Sequence, residues 1–125
     1  MKHFALIPLA ALALSGCMTM RDNDGSGSAR FGQTARVGDL RVTPLRLLED
    51  SRCPQGVQCV WAGQVRIGVS VSSGSRVDFY ELTQSKPVTV SRGQLVLVEV
   101  TPPRLADRSI RLQDYRFTFD YLPER

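Results

Sequence analysis

The chain has 125 residues, 42% of them apolar and 22% charged, with a formal net charge of +4. That length suits one small domain and leaves no room for a second. The single histidine lies at position 3, inside what reads below as a removable leader, so histidine-based acid–base or metal chemistry is excluded from the mature chain.

Met1, Lys2 and His3 form a short positive start, and residues 4–14 form an apolar run rich in Ala and Leu. Eleven residues are too few for a bilayer span, which takes about 20, but suit the core of a signal peptide. Leu14, Ser15, Gly16 and Cys17 follow. They resemble a bacterial lipobox, which implies cleavage after residue 16 and a Cys17 carrying lipid on sulfur and an acyl group such as palmitate on its amine. A plain secretory signal with a chance cysteine is the competing reading. Two or more acyl chains anchor a protein stably. Residue 18 is Met and not Asp, which within the lipoprotein class implies an outer-membrane protein facing the periplasm. Export permits disulfides.

Loss of residues 1–16 removes one positive side chain, Lys2, of the 16. The fifteen left face 12 acids, a net charge of about +3, and all but Lys86 are arginines. Acids are interleaved throughout and no basic run appears, so no nucleic-acid partner is expected. A patch of arginine for lipid phosphates or cell-wall carboxylates stays open as a variant, because guanidinium forks suit both. Residues 17–30 are polar and rich in Gly, Ser and Asp, and read as a flexible tether. Met18 and Met20 make only a poor soft-metal pair.

Residues 31–125 read as strands and turns. A weak strand over 31–37 stops at Gly38-Asp39, and a longer one covers 40–48. In it Leu40 and Val42 share one face, whereas Leu45 and Leu47 have the opposite parity. A bulge at Thr43-Pro44 would bring all four to one side, since Pro belongs at an edge or irregularity. Residues 62–72 alternate cleanly through Val65, Ile67, Val69 and Val71. A turn at 73–75 leads into 76–83, with Val77 and Phe79 on one face and Asp78, Tyr80 and Leu82 on the other. A short strand at 87–91 precedes 94–101, which is apolar on both faces and reads as a central strand. Pro102-Pro103 ends it. Residues 104–114 are irregular, and 115–122 form the clearest strand, with Phe117, Phe119 and Tyr121 inward. No apolar stripe of helical period reaches ten residues. The expectation is all-β: a single antiparallel sandwich or barrel-like domain of seven to eight strands.

The rare residues gather at 50–63, DSRCPQGVQCVWAG. Cys53 and Cys59 are the only cysteines left once Cys17 carries lipid. A structural disulfide suits an exported chain, and Pro54 and Gly56 let so short a loop turn back. A redox pair fits less well, since such pairs usually have two intervening residues beside a helix N-terminus. A metal site would be two thiolates without histidine, short of a tetrahedral zinc shell. Trp61 lies two residues past Cys59, so in an extended segment both share a face. The expectation is an indole packed on the disulfide in the core, with an exposed, ligand-binding Trp as the alternative. Asp50 and Ser51 read as a turn, and Arg52 as a partner of Asp50 or of a neighbouring acid.

The pattern DSRCPxxxxCxWAG resembles that of a group of small exported bacterial proteins and lipoproteins. Asp50, Ser51, Arg52, Cys53, Pro54, Cys59, Trp61, Ala62 and Gly63 carry it, with weaker likeness in the Pro-Pro and the Tyr-initiated last strand. The resemblance implies a β-rich exported domain with a disulfide and brings no activity with it.

No catalytic spacing, nucleophile elbow or phosphate loop is present, so the expectation is a non-catalytic protein with no cofactor and no metal. The first functional reading is a monomeric accessory lipoprotein, held to the membrane by its anchor and binding an envelope protein or cell-wall component. The second is a periplasmic enzyme inhibitor or small-ligand carrier acting through the Cys53–Cys59 loop. Arg52, Gln55, Gln58 and Trp61 are the candidate binding residues.

Overall fold

The computed structural model describes Gly16 and residues 25–124. The expected signal peptide, the lipidated Cys17 and most of the tether lie outside them. Eight strands follow in order: β1 (Ser26–Ala29), β2 (Ala35–Val37), β3 (Leu40–Asp50), β4 (Val65–Ser73), β5 (Arg76–Thr83), β6 (Val88–Val90), β7 (Gly93–Thr101) and β8 (Arg116–Pro123). One 3-10 turn, Leu112–Asp114, precedes β8. The strands make two four-stranded antiparallel sheets, ordered β1-β8-β7-β6 and β2-β3-β4-β5. The domain is an all-β sandwich, with β1 and β6–β8 in one sheet and the β2–β5 meander in the other.

Alternation decides which side chains meet between the sheets. Val65, Ile67, Val69 and Val71 of β4 are buried, as are Phe117, Phe119 and Tyr121 of β8. The buried Tyr121 hydroxyl donates to the Val90 carbonyl at 3.1 Å, which removes the cost of an unmet polar group. Every buried apolar side chain among the described residues lies between Ala29 and Tyr121. Among the described residues, 25–124 therefore carry both sheets and their core.

Four expectations need correction. Strand pairing reaches back before residue 31, into the expected tether: 26–29 pair with β8, because a Gly/Ser stretch with no apolar period still supplies backbone donors and acceptors to a sheet edge. Only 35–37 of the weak strand pair; Phe31 sits in the crossover and sets its ring edge-on to Phe117 at 4.8 Å. β3 does bulge at its proline, one residue later than Thr43-Pro44, between Pro44 and Arg46. It keeps Pro44 inward and returns Leu47 to the core, but Leu45 is the residue turned out to solvent. In β7 a second register shift, between Leu97 and Glu99, puts Leu95, Leu97 and Val100 inward and leaves Val98 partly exposed. β7 does lie inside its sheet, but its two apolar faces reflect a bulge and not double burial.

The antiparallel registers give the sandwich two ends. Gly25, the turns at 38–39, 74–75 and 91–92, and the end of β8 lie at one. The loop 51–64, the segment 102–111 and Tyr115 lie at the other. Eight residues of β8 separate them, about 25 Å at the usual strand rise.

Candidate functional site

Cys53 and Cys59 form a disulfide with Cα atoms 5.9 Å apart. The loop they close grows directly out of the β3–β4 ladder. Ser51 N–H donates to the Gln64 carbonyl at 2.9 Å and Cys53 N–H to the Ala62 carbonyl at 3.3 Å. Gln64 N–H returns a bond to Ser51 Oγ at 3.0 Å. Gly63 stands at φ +70°, and a Cβ there would overlap the Ser51 carbonyl. Glycine is thus required twice over, by conformation and by space.

Beneath the loop lies a clasp. The Asp50 carboxylate, its side chain 6% exposed, accepts both Nε and Nη2 of Arg52 at 2.9 Å. Tyr115 Oη donates to Asp50 Oδ2 at 2.7 Å. Two further guanidinium N–H groups reach across to the other sheet's β7, to the carbonyls of Val100 at 3.0 Å and of Pro102, just past the strand's end, at 3.1 Å. Arg104 Nη1 donates to the Arg52 carbonyl at 2.6 Å, and Gln55 N–H to the Arg104 carbonyl at 2.8 Å. Burial by itself would push the Asp50 carboxyl up. The bonds from Arg52 and Tyr115, with the Arg52 charge, outweigh it, and the acid ends below the usual carboxylate range. The Tyr115 phenol is pushed up to about 12, by burial first and then by its bond to the Asp50 carboxylate. The bidentate geometry fixes Arg52 in one orientation.

On the sheet face next to the clasp, Glu49 accepts from Gln64 at 2.9 Å, from Arg66 at 2.9 Å and from Ser51 at 3.0 Å. These bonds lower its pKa, and Arg66, which also bonds Glu81, has its own raised. Among the described residues no group of three or more His, Cys, Asp or Glu is placed to hold a metal ion.

The clasp accounts for Asp50, Ser51, Arg52, the cysteines, Ala62 and Gly63. It does not account for Trp61. The expected packing of the indole on the disulfide is wrong: Trp61 is 83% exposed, its neighbour Val60 is 91% exposed, and Val57 is 45% exposed. The segment does not continue as an extended strand past Cys59, so the shared-face argument does not apply. Arg52 pairs with Asp50, one of the two roles expected of it, and as a candidate binding residue it has every nitrogen already bonded inside the protein. Gln55 and Gln58 are exposed beside the apolar tip. Arg104 and Tyr115, which the loop reading missed, hold its base; their sequence signal was the Pro-Pro and the tyrosine that opens the last strand. Comparison of the chain with protein-family models, curated proteins and solved structures finds no match.

Proposed function

We propose that this is an exported, lipid-anchored binding protein of the bacterial outer membrane whose recognition element is the tip of the Cys53–Cys59 loop. One observation carries the reading: the three large apolar side chains Val57, Val60 and Trp61 stand in solvent on a loop closed by a disulfide and clasped to both sheets. Leaving such groups in water is unfavourable by roughly 25 cal/mol per Å² of apolar surface, and a rigid loop loses little entropy when it docks. Tryptophan is a favoured anchor at the centre of protein interfaces, and a polar rim usually surrounds it; Gln55 and Gln58 supply that rim. The partner is an envelope protein with an apolar pocket for the indole. Cys17 supplies the anchor, and the motif's likeness to small exported lipoproteins points the same way.

Crosslinking in native envelopes tests this. The wild-type domain should capture a protein that Trp61→Ala does not, and the purified pair should shift the emission of Trp61, the chain's sole tryptophan, to the blue. Equal capture by wild type and variant would overturn it. The same tip also suits an inhibitor that plugs an enzyme's cleft; in that case the captured protein is a hydrolase whose turnover falls when the domain is added. The ligand-carrier form draws no support from the core, where Phe117, Phe119, Leu95 and Leu97 fill the space between the sheets.

A further inference from the structure

The end of the sandwich opposite the loop carries an unusual pairing. Arg36 of β2 and Arg41 of β3 are direct cross-strand partners. Both are exposed, and their neighbours Ala35, Val37, Leu40 and Val42 are buried, so both guanidinium groups rise from the outer face of the sheet. Like charges set opposite each other in a sheet are destabilising, and among the described residues neither arginine has an acidic partner. Arg76 nearby differs, being paired with Asp78 at 3.0 Å. Arg36 and Arg41 line an open cleft of about 370 Å³ with Asp39, Ser72 and Gly74. Two guanidiniums against the one Asp39 carboxylate leave the cleft positive.

Its position gives the charge a direction. The Arg36 carbonyl lies against Gly27 of β1, where a Cβ would come within 2.5 Å, and the 38–39 turn lies against Tyr121. Tyr121 N–H donates to the Gly25 carbonyl at 2.6 Å. The cleft therefore adjoins the point at which the chain enters the domain. From Gly25 back to Cys17 is eight residues, at most about 28 Å of chain.

We propose that Arg36 and Arg41 form a docking site for the phosphate headgroups of anionic phospholipid, which seats this end of the domain on the leaflet and directs Trp61 away from it. Each headgroup phosphate relieves the repulsion between the guanidiniums and offers oxygens to their N–H forks. Basic side chains near an anionic bilayer each gain affinity, and the gain decays within a Debye length. The headgroup site stands on the arginines alone; the outward direction of the loop rests on the lipid-anchor reading above.

Residues 25–124 carry both sheets and every buried apolar side chain among the described residues, so the test uses the domain from Gly25 onwards, without leader or lipid. At low salt it should co-sediment with phosphatidylglycerol vesicles and not with phosphatidylcholine vesicles. Arg36→Gln with Arg41→Gln should weaken that binding about twenty-five-fold, from roughly fivefold per guanidinium. Arg46→Gln with Arg108→Gln, remote from the cleft, should leave it within about twofold of wild type. Trp61 emission should not move on binding. No binding to anionic vesicles, or equal binding by the Arg36/Arg41 variant, overturns the site. A blue shift of Trp61 overturns it as well, because the loop would then be what enters the bilayer. Inorganic phosphate should displace the domain no better than chloride at matched ionic strength; strong displacement would assign the cleft to a soluble anion and remove the lipid. Metabolic labelling with palmitate reads the anchor separately: failure at Cys17 with vesicle binding intact defeats the anchor reading and spares the headgroup site.

Discussion

Asp50→Asn isolates the charge in the clasp, because it changes no volume and opens no cavity. Removing one member of a buried ion pair costs about 3–5 kcal/mol. Two features of this pair reduce that figure. The Arg52 side chain is 16% exposed, and it keeps its bonds to the Val100 and Pro102 carbonyls. The amide introduced by Asp50→Asn also retains an oxygen for the Tyr115 hydroxyl. The expected loss is then about 2–3 kcal/mol, out of the roughly 5–15 kcal/mol typical of a domain this size. Urea titration should show a lower midpoint at unchanged slope, and the melting temperature should fall by roughly 10–20 °C. The pH dependence supplies an internal check. The folded-state pKa of Asp50 is lowered, so its contribution is complete above the unfolded value of about 3.9 and disappears as pH falls through the folded value. The gap between wild type and variant should therefore be widest near neutrality and narrow steadily below about pH 4. A difference under about 1 kcal/mol at pH 7, or one that stays constant into acid, would refute the clasp as the tie between loop and sheets.

Tyr115 gives the mirror-image case: its pKa is raised to about 12, so its contribution is complete below the unfolded value of about 10 and lost as pH climbs to the folded one. Ultraviolet titration should show a tyrosine step at about pH 12 that Tyr115→Phe removes. Cys53→Ala with Cys59→Ala should cost about 2 kcal/mol by the loop-entropy account, with both sheets intact by far-UV circular dichroism; a fully stable variant would show that the clasp alone holds the loop. Gly63→Ala should cost at least about 2 kcal/mol, since the left-handed backbone and the Ser51 carbonyl both reject a Cβ; a neutral result on melting would contradict the observed loop path.

What the sequence determined by itself is whatever local pattern enforces. Two-residue alternation in 62–72 and 115–122 called for strands, observed at Val65–Ser73 and Arg116–Pro123, and named their inward faces, because a side chain in a strand has only two sides to choose from. Pro44 marked a bulge, since proline cannot donate to a ladder, and an even pair of cysteines in a chain read as exported, with Pro54 and Gly56 to turn the loop, implied the disulfide. Which residue the bulge ejects was not legible, because that depends on how β3 registers against β4. Strand β1 was equally hidden, as its sequence asks for no burial and its place is conferred by the open edge of β8. The stretch 50–63 shows the division most clearly. Its composition announced a special loop, yet its two ends had opposite fates: Arg52 turned inward to tie two sheets, and Trp61 turned out. Those fates rest on Val100, Pro102, Arg104 and Tyr115, at least 39 residues beyond Trp61 in the chain. Only the closing of one sheet over the other brings such donors and acceptors within reach, and it leaves the tryptophan with nothing to cover it.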